Sequence, residues 1–391
     1  MSASPVQPAP GQQNHAASGF EREFDLLLVF CADSLHSDDQ VRVLLRDPLD
    51  WTRFADIAEH HGLIPHIGDR IAAFSDLVPA EAMRSLRELY ESNARRTLWL
   101  SRELIRIVSH LESRGIAALP YKGPALGEFL YSNVTARQFS DLDILVQARD
   151  VARTRSALAE IGFAPGITLT PHAERAFLES GYELTFDSPN GRNLLEIQWQ
   201  ILPRFYAVDF DMEAFFDRAV TQNLAGVTIR ALRAEDLLLV LCVHAAKHLW
   251  MQLSWLCDIA ALARTAKVDW NWVWDQSDGL GIRRIVEVTF ALAHRLLGAP
   301  LPPSMETDVS AGALVEDLIP SIVKSAPFDP ESLDYFRRVA KTRERRSDRT
   351  RFWWRLATTP STGEWSAIQL PAPLFPLYCV VRAARIAKRI F

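Results

Sequence analysis

The run RQFSDLDILV, Arg137 to Val146, constrains the fold more than any other stretch of the chain. Leu142, Ile144, Leu145 and Val146 are residues that strands favour, and the run is short, so it reads as a strand. Side chains alternate faces along a strand, which puts Asp141 and Asp143 on one face and Leu142 and Ile144 on the other. Two carboxylates about 7 Å apart along a strand repel by about 2 kcal/mol at an effective dielectric of about 20, before any desolvation. A solvated edge strand tolerates that pair. A strand inside a sheet needs a compensating cation, and hard divalent ions with oxygen ligands, such as Mg²⁺, are the natural choice.

The surrounding periodicities place this strand in a mixed segment. From 20 to 114 apolar residues recur three and four apart (Phe24, Leu27, Leu28, then Leu86, Leu89, Leu98, Leu100, Leu104, Ile107), giving an N-terminal helical region. After Gly115 the period changes. IAALPY, FSDLDILV, YELTFD, LLEIQWQI and VTIRAL read as five short strands, with helices expected over Pro124–Tyr131 and Arg149–Ile161, and together they make an α/β module over 115–232. Helical periodicity returns over 233–335, and 336–391 is a basic helical C-terminal region. Residues 1–19 read as a disordered lead-in with neither the basic start nor the apolar block of a secretion signal.

A third carboxylate stands in LLEIQWQI, where Glu196 and Gln198 share a face opposite Leu195 and Ile197. If this strand lies beside the first, Asp141, Asp143 and Glu196 converge, and three such acids can hold two metal ions across an in-line phosphoryl displacement. The phosphate end is offered by PYKGPALGEFLY. Gly123 follows a strand and precedes a helix with Pro124 at its start, glycine allows close approach to the backbone, and a helix N-terminus attracts anions. Lys122 adds a mobile positive charge.

The KG before a helix, RQFSDLDILV, the strand EIQW and the later HAAKHLWMQLSWLCDIAAL together resemble the uncharacterised nucleotidyltransferase family, a branch of the DNA polymerase β-like superfamily. The resemblance runs from about Tyr90 to the C-terminus. It implies an α+β fold, a small mixed-sheet polymerase-β-like palm flanked by N-terminal and C-terminal helical domains. It also implies Mg²⁺ on Asp141, Asp143 and Glu196, and the phosphates of an NTP against Gly123. Two positions depart from the superfamily pattern: Pro124 stands where Ser or Gly usually follows the glycine, and the third acid is Glu where Asp is commoner.

Other groups carry two readings each. Arg137 and Ser140 flank the aspartates; Arg137 can contact a phosphate and Ser140 orient a carboxylate, or both can pin the loop through backbone bonds. His244 and His248 lie four apart on a helix. They lack the glutamate and the further ligands of a zinc site, so this face either closes over the nucleotide with Lys247 or His248 near the triphosphate and Asp258 paired to one of these cations, or forms a polar seam between helices. From Phe336 to Arg355 nine Lys/Arg meet two Asp/Glu, a local +7 that leaves about −12 for the rest of a chain whose net charge is −5. That segment, with Phe352, Trp353 and Trp354, can track a nucleic acid such as tRNA or be a solvated helix face. A basic stripe of Arg382, Arg385, Lys388 and Arg389 admits a membrane surface.

The four cysteines are far apart with no CxxC pair, so a disulfide framework and a thiolate zinc site are not indicated and a reducing cytoplasm fits. No apolar run reaches the length of a transmembrane helix. The expectation is a cytoplasmic, metal-dependent enzyme that moves a nucleoside monophosphate from an NTP to a hydroxyl-bearing acceptor and releases pyrophosphate. The acceptor can be a small molecule, a peptide, a protein or a tRNA. The rival is a non-catalytic nucleotide-binding regulatory module of the same fold.

Overall fold

A computed structural model describes residues 21–31, 38–167, 171–189, 191, 194–305, 309–325, 329–330, 332–360, 362–368 and 370–390. The expected lead-in at 1–19 lies outside them. Seven strands are present among the described residues: β1 (Ala118–Pro120), β2 (Asp141–Val146), β3 (Ala164–Pro165), β4 (Glu183–Asp187), β5 (Leu194–Gln198), β6 (Val220–Leu224) and β7 (Val227–Ala231). The main sheet has the order β1-β2-β5-β4-β3. β2 and β5 run parallel, with Asp143 opposite Glu196 and Leu145 opposite Gln198, while the other neighbours are antiparallel.

Two expectations change here. VTIRAL does not join the sheet of the aspartates; it pairs with Val220–Leu224 as a separate hairpin. Its turn residues Ala225 and Gly226 both have positive φ, the twist that a two-residue hairpin loop requires. The fifth strand of the main sheet is the two-residue Ala164–Pro165 pairing, too short to show any alternation in sequence. The helix Gly123–Tyr131 starts one residue before the expected Pro124, and Val151–Glu160 lies within the expected Arg149–Ile161.

Alternation along the strands gives the sheet two unlike faces. Leu142, Ile144, Val146, Leu184, Phe186, Leu195 and Ile197 are buried in one core, together with Leu100, Leu104, Ile107 and Leu111 from the C-terminal half of helix Ala80–Ser113. The opposite face sends Leu119 and Leu145 into a second core, which includes helices Arg22–Cys31, Ala234–Lys247, Leu253–Thr265 and Arg283–Leu297. The carboxylates lie on this second face. Helix Ala80–Ser113 serves both cores, with Leu86 in one and Leu100 to Leu111 in the other; between them its middle carries Ser92, Asn93 and Arg96. That polar interval in an amphipathic helix marks the cleft described below.

His61 ties the N-terminal helices to the helical domain and is fully buried. The Leu253 amide donates to its Nδ1 at 3.3 Å, and Nε2 lies 3.2 Å from Ser325 Oγ, so the proton belongs on Nε2. Burial, with His60 adding to it, lowers the His61 pKa to about 3. The unfolded chain therefore takes up a proton near pH 6.5 that the folded chain refuses, and stability falls as pH drops below that value. The expected slope from His61 is about 1.4 kcal/mol per pH unit below about 6.5. His61→Gln should remove one proton's worth of that slope in urea titrations run between pH 6.5 and 5. An unchanged slope would mean that His61 is protonated in the fold.

Candidate active site

β1 ends at Pro120, and the chain then turns into helix Gly123–Tyr131 through Lys122, whose backbone is extended. Gly123 has φ +53°, in the left-handed region where side chains are rarely accommodated. A Cβ there would meet the Asp141 carbonyl only at 3.5 Å, so the backbone angle and not lack of space calls for glycine. Pro124 sits in the first turn, where its missing amide costs nothing.

Arg137 reaches across to lock this turn. Its Nη1 donates to the Gly123 carbonyl at 3.2 Å, while Nε and Nη2 grip Asp258 of helix Leu253–Thr265, the shortest contact being 2.7 Å. Tyr131 adds a hydrogen bond to Asp258 Oδ1 at 3.0 Å. Asp258 therefore pairs with Arg137, and not with Lys247 or His248 as one sequence reading had it. The Arg137 guanidinium is engaged with Asp258 and the Gly123 turn, the loop-pinning role, before any ligand arrives. Asn93 Nδ2 donates to the Thr135 and Arg137 carbonyls at 3.3 and 3.2 Å, and Gln138 Nε2 to the Glu59 carbonyl at 3.1 Å, so the loop before β2 is held by two of the N-terminal helices, Ala80–Ser113 and Trp51–His60.

The acids form a graded cluster on the face of β2, β5 and β4. Asp143 is 3% exposed and accepts from Lys122 Nζ at 2.9 Å. Gln198 Nε2 lies 3.3 Å from Asp143 Oδ1, 3.0 Å from Glu196 Oε2 and 3.4 Å from Glu183 Oε2, and Gln198 Oε1 accepts from Tyr121 OH at 2.5 Å. One amide thus bridges three carboxylates. Burial, then Asp143, raises the pKa of Asp141. Burial, then Asp143 and Glu183, pushes Glu196 up to about 8. Burial raises Glu183 as well, with Lys247 opposing it. Burial lowers the pKa of Lys247, whose ammonium stands 5.2 Å from the centre of the Tyr182 ring. For Lys122 burial is the largest influence and disfavours the ammonium, but Asp143, Tyr121 and Asp141 together outweigh it and the pKa rises. Four acids face two lysines, so ionising all four would leave this surface with an excess of negative charge that a cation would relieve.

A cavity of about 420 Å³ opens over this cluster, a size that suits a small ligand. Lys122, Gly123, Arg137, Ser140, Asp141, Asp143 and His248 line it together, so the tertiary structure gathers most of the residues singled out in the sequence. Glu196 and Lys247 do not line it. Glu196 sits one strand behind Asp143, in register with it, on the neighbouring β5. The far wall comes from Glu59, Ser92, Asn93, Arg96, Gln252 and Trp255, which the sequence reading did not find. His244, His248 and Trp255 form a ring cluster with centroids 4.9 to 5.3 Å apart. Burial drops His248 to about 3 and His244 well below its usual value, so both are neutral.

The basic segment divides. Arg343 is buried and donates to the Ala207 and Leu280 carbonyls; Arg351 pairs with Asp348 and Asp209, and Arg355 with Asp209. Phe352 is buried among Phe205, Tyr206 and Phe336. Arg337, Lys341, Arg345 and Arg346 remain exposed. None of the four cysteines is in a disulfide. No helix among the described residues is long and apolar enough to cross a membrane.

A small mixed sheet with one apolar face and one carboxylate face, flanked by helices, makes this an α+β protein with a nucleotidyltransferase-like fold. Residues 47–298 match the model of the uncharacterised nucleotidyltransferases, and the chain belongs to that family. The match begins earlier than Tyr90, within the N-terminal helices that complete the cavity, and ends before the basic segment. No curated protein and no solved structure matches the chain.

Proposed function

We infer that the protein transfers a nucleoside monophosphate from an NTP to a hydroxyl-bearing acceptor, with the cleft over Asp141 and Asp143 as its active site. The observation that carries this reading is the convergence, in one cavity, of two strand carboxylates with Lys122 and the left-handed turn at Gly123. Among the described residues no group of three His, Cys, Asp or Glu side chains is arranged to hold an ion. The donor set nonetheless suits Mg²⁺: hard carboxylate oxygens, crowded enough that burial and mutual repulsion raise the pKa of Asp141 and Glu196. Asp141 and Asp143 would hold the metal ions, with Glu196 completing the acidic set. Bound metal would neutralise charge on the reacting phosphate and on the leaving pyrophosphate.

The chain's own residues supply positioning. The Gly123 turn presents the helix N-terminus to the triphosphate, and Lys122 exchanges its partner Asp143 for a phosphate oxygen. Ser140 lies at the mouth beside Asp141. His248 and Trp255 offer uncharged ring surfaces to the ligand, and Lys247, behind them, offsets Glu183. The acceptor hydroxyl attacks the α-phosphorus as the bond to the β-phosphate oxygen breaks, and its proton passes to a carboxylate of the cluster. Catalysis is then mainly orientation and electrostatic stabilisation.

The test is incubation of the full chain with each labelled NTP, Mg²⁺ and fractionated cell extract, following pyrophosphate release and acceptor mass. A nucleotide adduct formed in step with pyrophosphate supports the transferase. Nucleotide-dependent thermal stabilisation with no product from any fraction would favour the non-catalytic module instead. For an RNA acceptor, removing charge at the exposed Arg345 and Arg346 should flatten the salt dependence of binding, whereas Arg343 belongs to the core and is no probe of it.

A further inference from the structure

The last helix of the chain begins with its polarity turned inside out. Tyr378–Ile390 packs on helix Arg346–Thr358 through an arginine: Arg382 is 5% exposed, and its Nε donates to the Leu356 carbonyl at 2.6 Å. Arg382 and Arg385 both bind Glu364, at 3.2 and 2.6 Å. Among the described side chains, what faces water just before this helix and along its first two turns is apolar. Leu374 is 43%, Leu377 45% and Val380 61% exposed, and every exposed residue described between 371 and 384 is apolar. Leu377, Val380 and Ala384 have the spacing of a single helix face. A helix that buries its arginine and shows its aliphatic side has a surface that something else must cover.

Charge identifies the cover. Residues 336–391 hold thirteen Lys/Arg against three Asp/Glu, a balance of +10 that leaves −15 for the remainder of the chain. After Glu364 there is no acid at all. A second copy apposed through this segment would cover the aliphatic residues but would set the exposed Arg337, Lys341, Arg345 and Arg346 against more of the same charge. A nucleic acid would answer the cations but not the aliphatic face. A bilayer with anionic headgroups answers both, and tryptophans favour its interface; Trp354 on the packed helix is 70% exposed and Trp353 37%. The terminal helix, at 13 residues, is suited to lying in that interface and not to crossing it. The whole segment lies beyond the family match at 47–298.

We propose that residues 336–391 seat the protein on an anionic lipid surface, with Leu374, Leu377 and Val380 inserted at the acyl boundary and the exposed lysine and arginines at the headgroups. The full chain is sedimented with phosphatidylcholine vesicles, with and without phosphatidylglycerol, at low and high salt. The expected result is roughly tenfold more protein on the anionic vesicles, most of it released by high salt. Leu377→Asp with Val380→Asp, both on exposed positions, should cut that binding to the level of the neutral vesicles without shifting the melting temperature. Equal binding to both vesicle types, no binding to either, or undiminished binding by the double variant would overturn the proposal. So would a dimer in light scattering that the same two substitutions dissolve, because the face would then belong to a second copy.

Discussion

Asp141→Asn should lower nucleotide transfer by about three orders of magnitude, the loss of several kcal/mol of transition-state charge stabilisation, while the folded chain becomes no less stable. The two halves of that expectation have the same origin. Asp141 lines the cavity half-buried, and burial together with Asp143 raises its pKa. A carboxyl whose folded pKa lies above its unfolded value weakens the fold once pH exceeds that value, so a neutral isostere removes a penalty. Melting measured without metal should therefore hold steady or rise, while pyrophosphate release collapses. A variant that melts earlier, or that keeps its activity, would show that Asp141 serves the fold and not the chemistry.

Asp258→Ala should cost about 3 to 5 kcal/mol of stability, the largest single effect expected outside the core. The change leaves the Arg137 guanidinium 8% exposed with its charge unanswered, and deprives Tyr131 of its acceptor. Replacing both partners, as in Arg137→Met with Asp258→Leu, should recover a good part of that loss, because the cost lies in stranding a buried charge. Urea titrations of the single and double variants measure it. The pair also joins the helical domain to the Gly123 turn through the bond from Arg137 Nη1 to the Gly123 carbonyl. Variants that still fold should thus bind NTP more weakly, with a raised KM, and single variants no less stable than the parent would remove the brace from the account.

Much of this site was legible in one dimension because strands obey a two-residue period. Asp141 and Asp143 must share a face, Glu196 and Gln198 must share theirs, and charge inside an apolar strand is an anomaly that any reader of the sequence meets. The same alternation in YELTFD marks Glu183, which the sequence reading passed over and which stands beside Gln198 across β4 and β5. The Gly123 turn was legible for a comparable reason: glycine followed by proline at a strand-to-helix junction has few conformations open to it.

What the tertiary structure alone decided is which distant pieces meet. Nothing local ties Arg137 to Asp258, 121 residues apart, or brings Ser92 to Arg96 on a long helix opposite Trp255 to close the cavity. The charge run at 336–355 reads as one basic stripe, yet folding divides it, drawing Arg343 into the core and pairing Arg351 and Arg355 while Arg345 and Arg346 stay in water. The physical reason is common to these cases. Periodicity fixes the direction of a side chain relative to its own backbone, whereas the partner it finds depends on loop closures and packing across the whole chain, which no local pattern encodes.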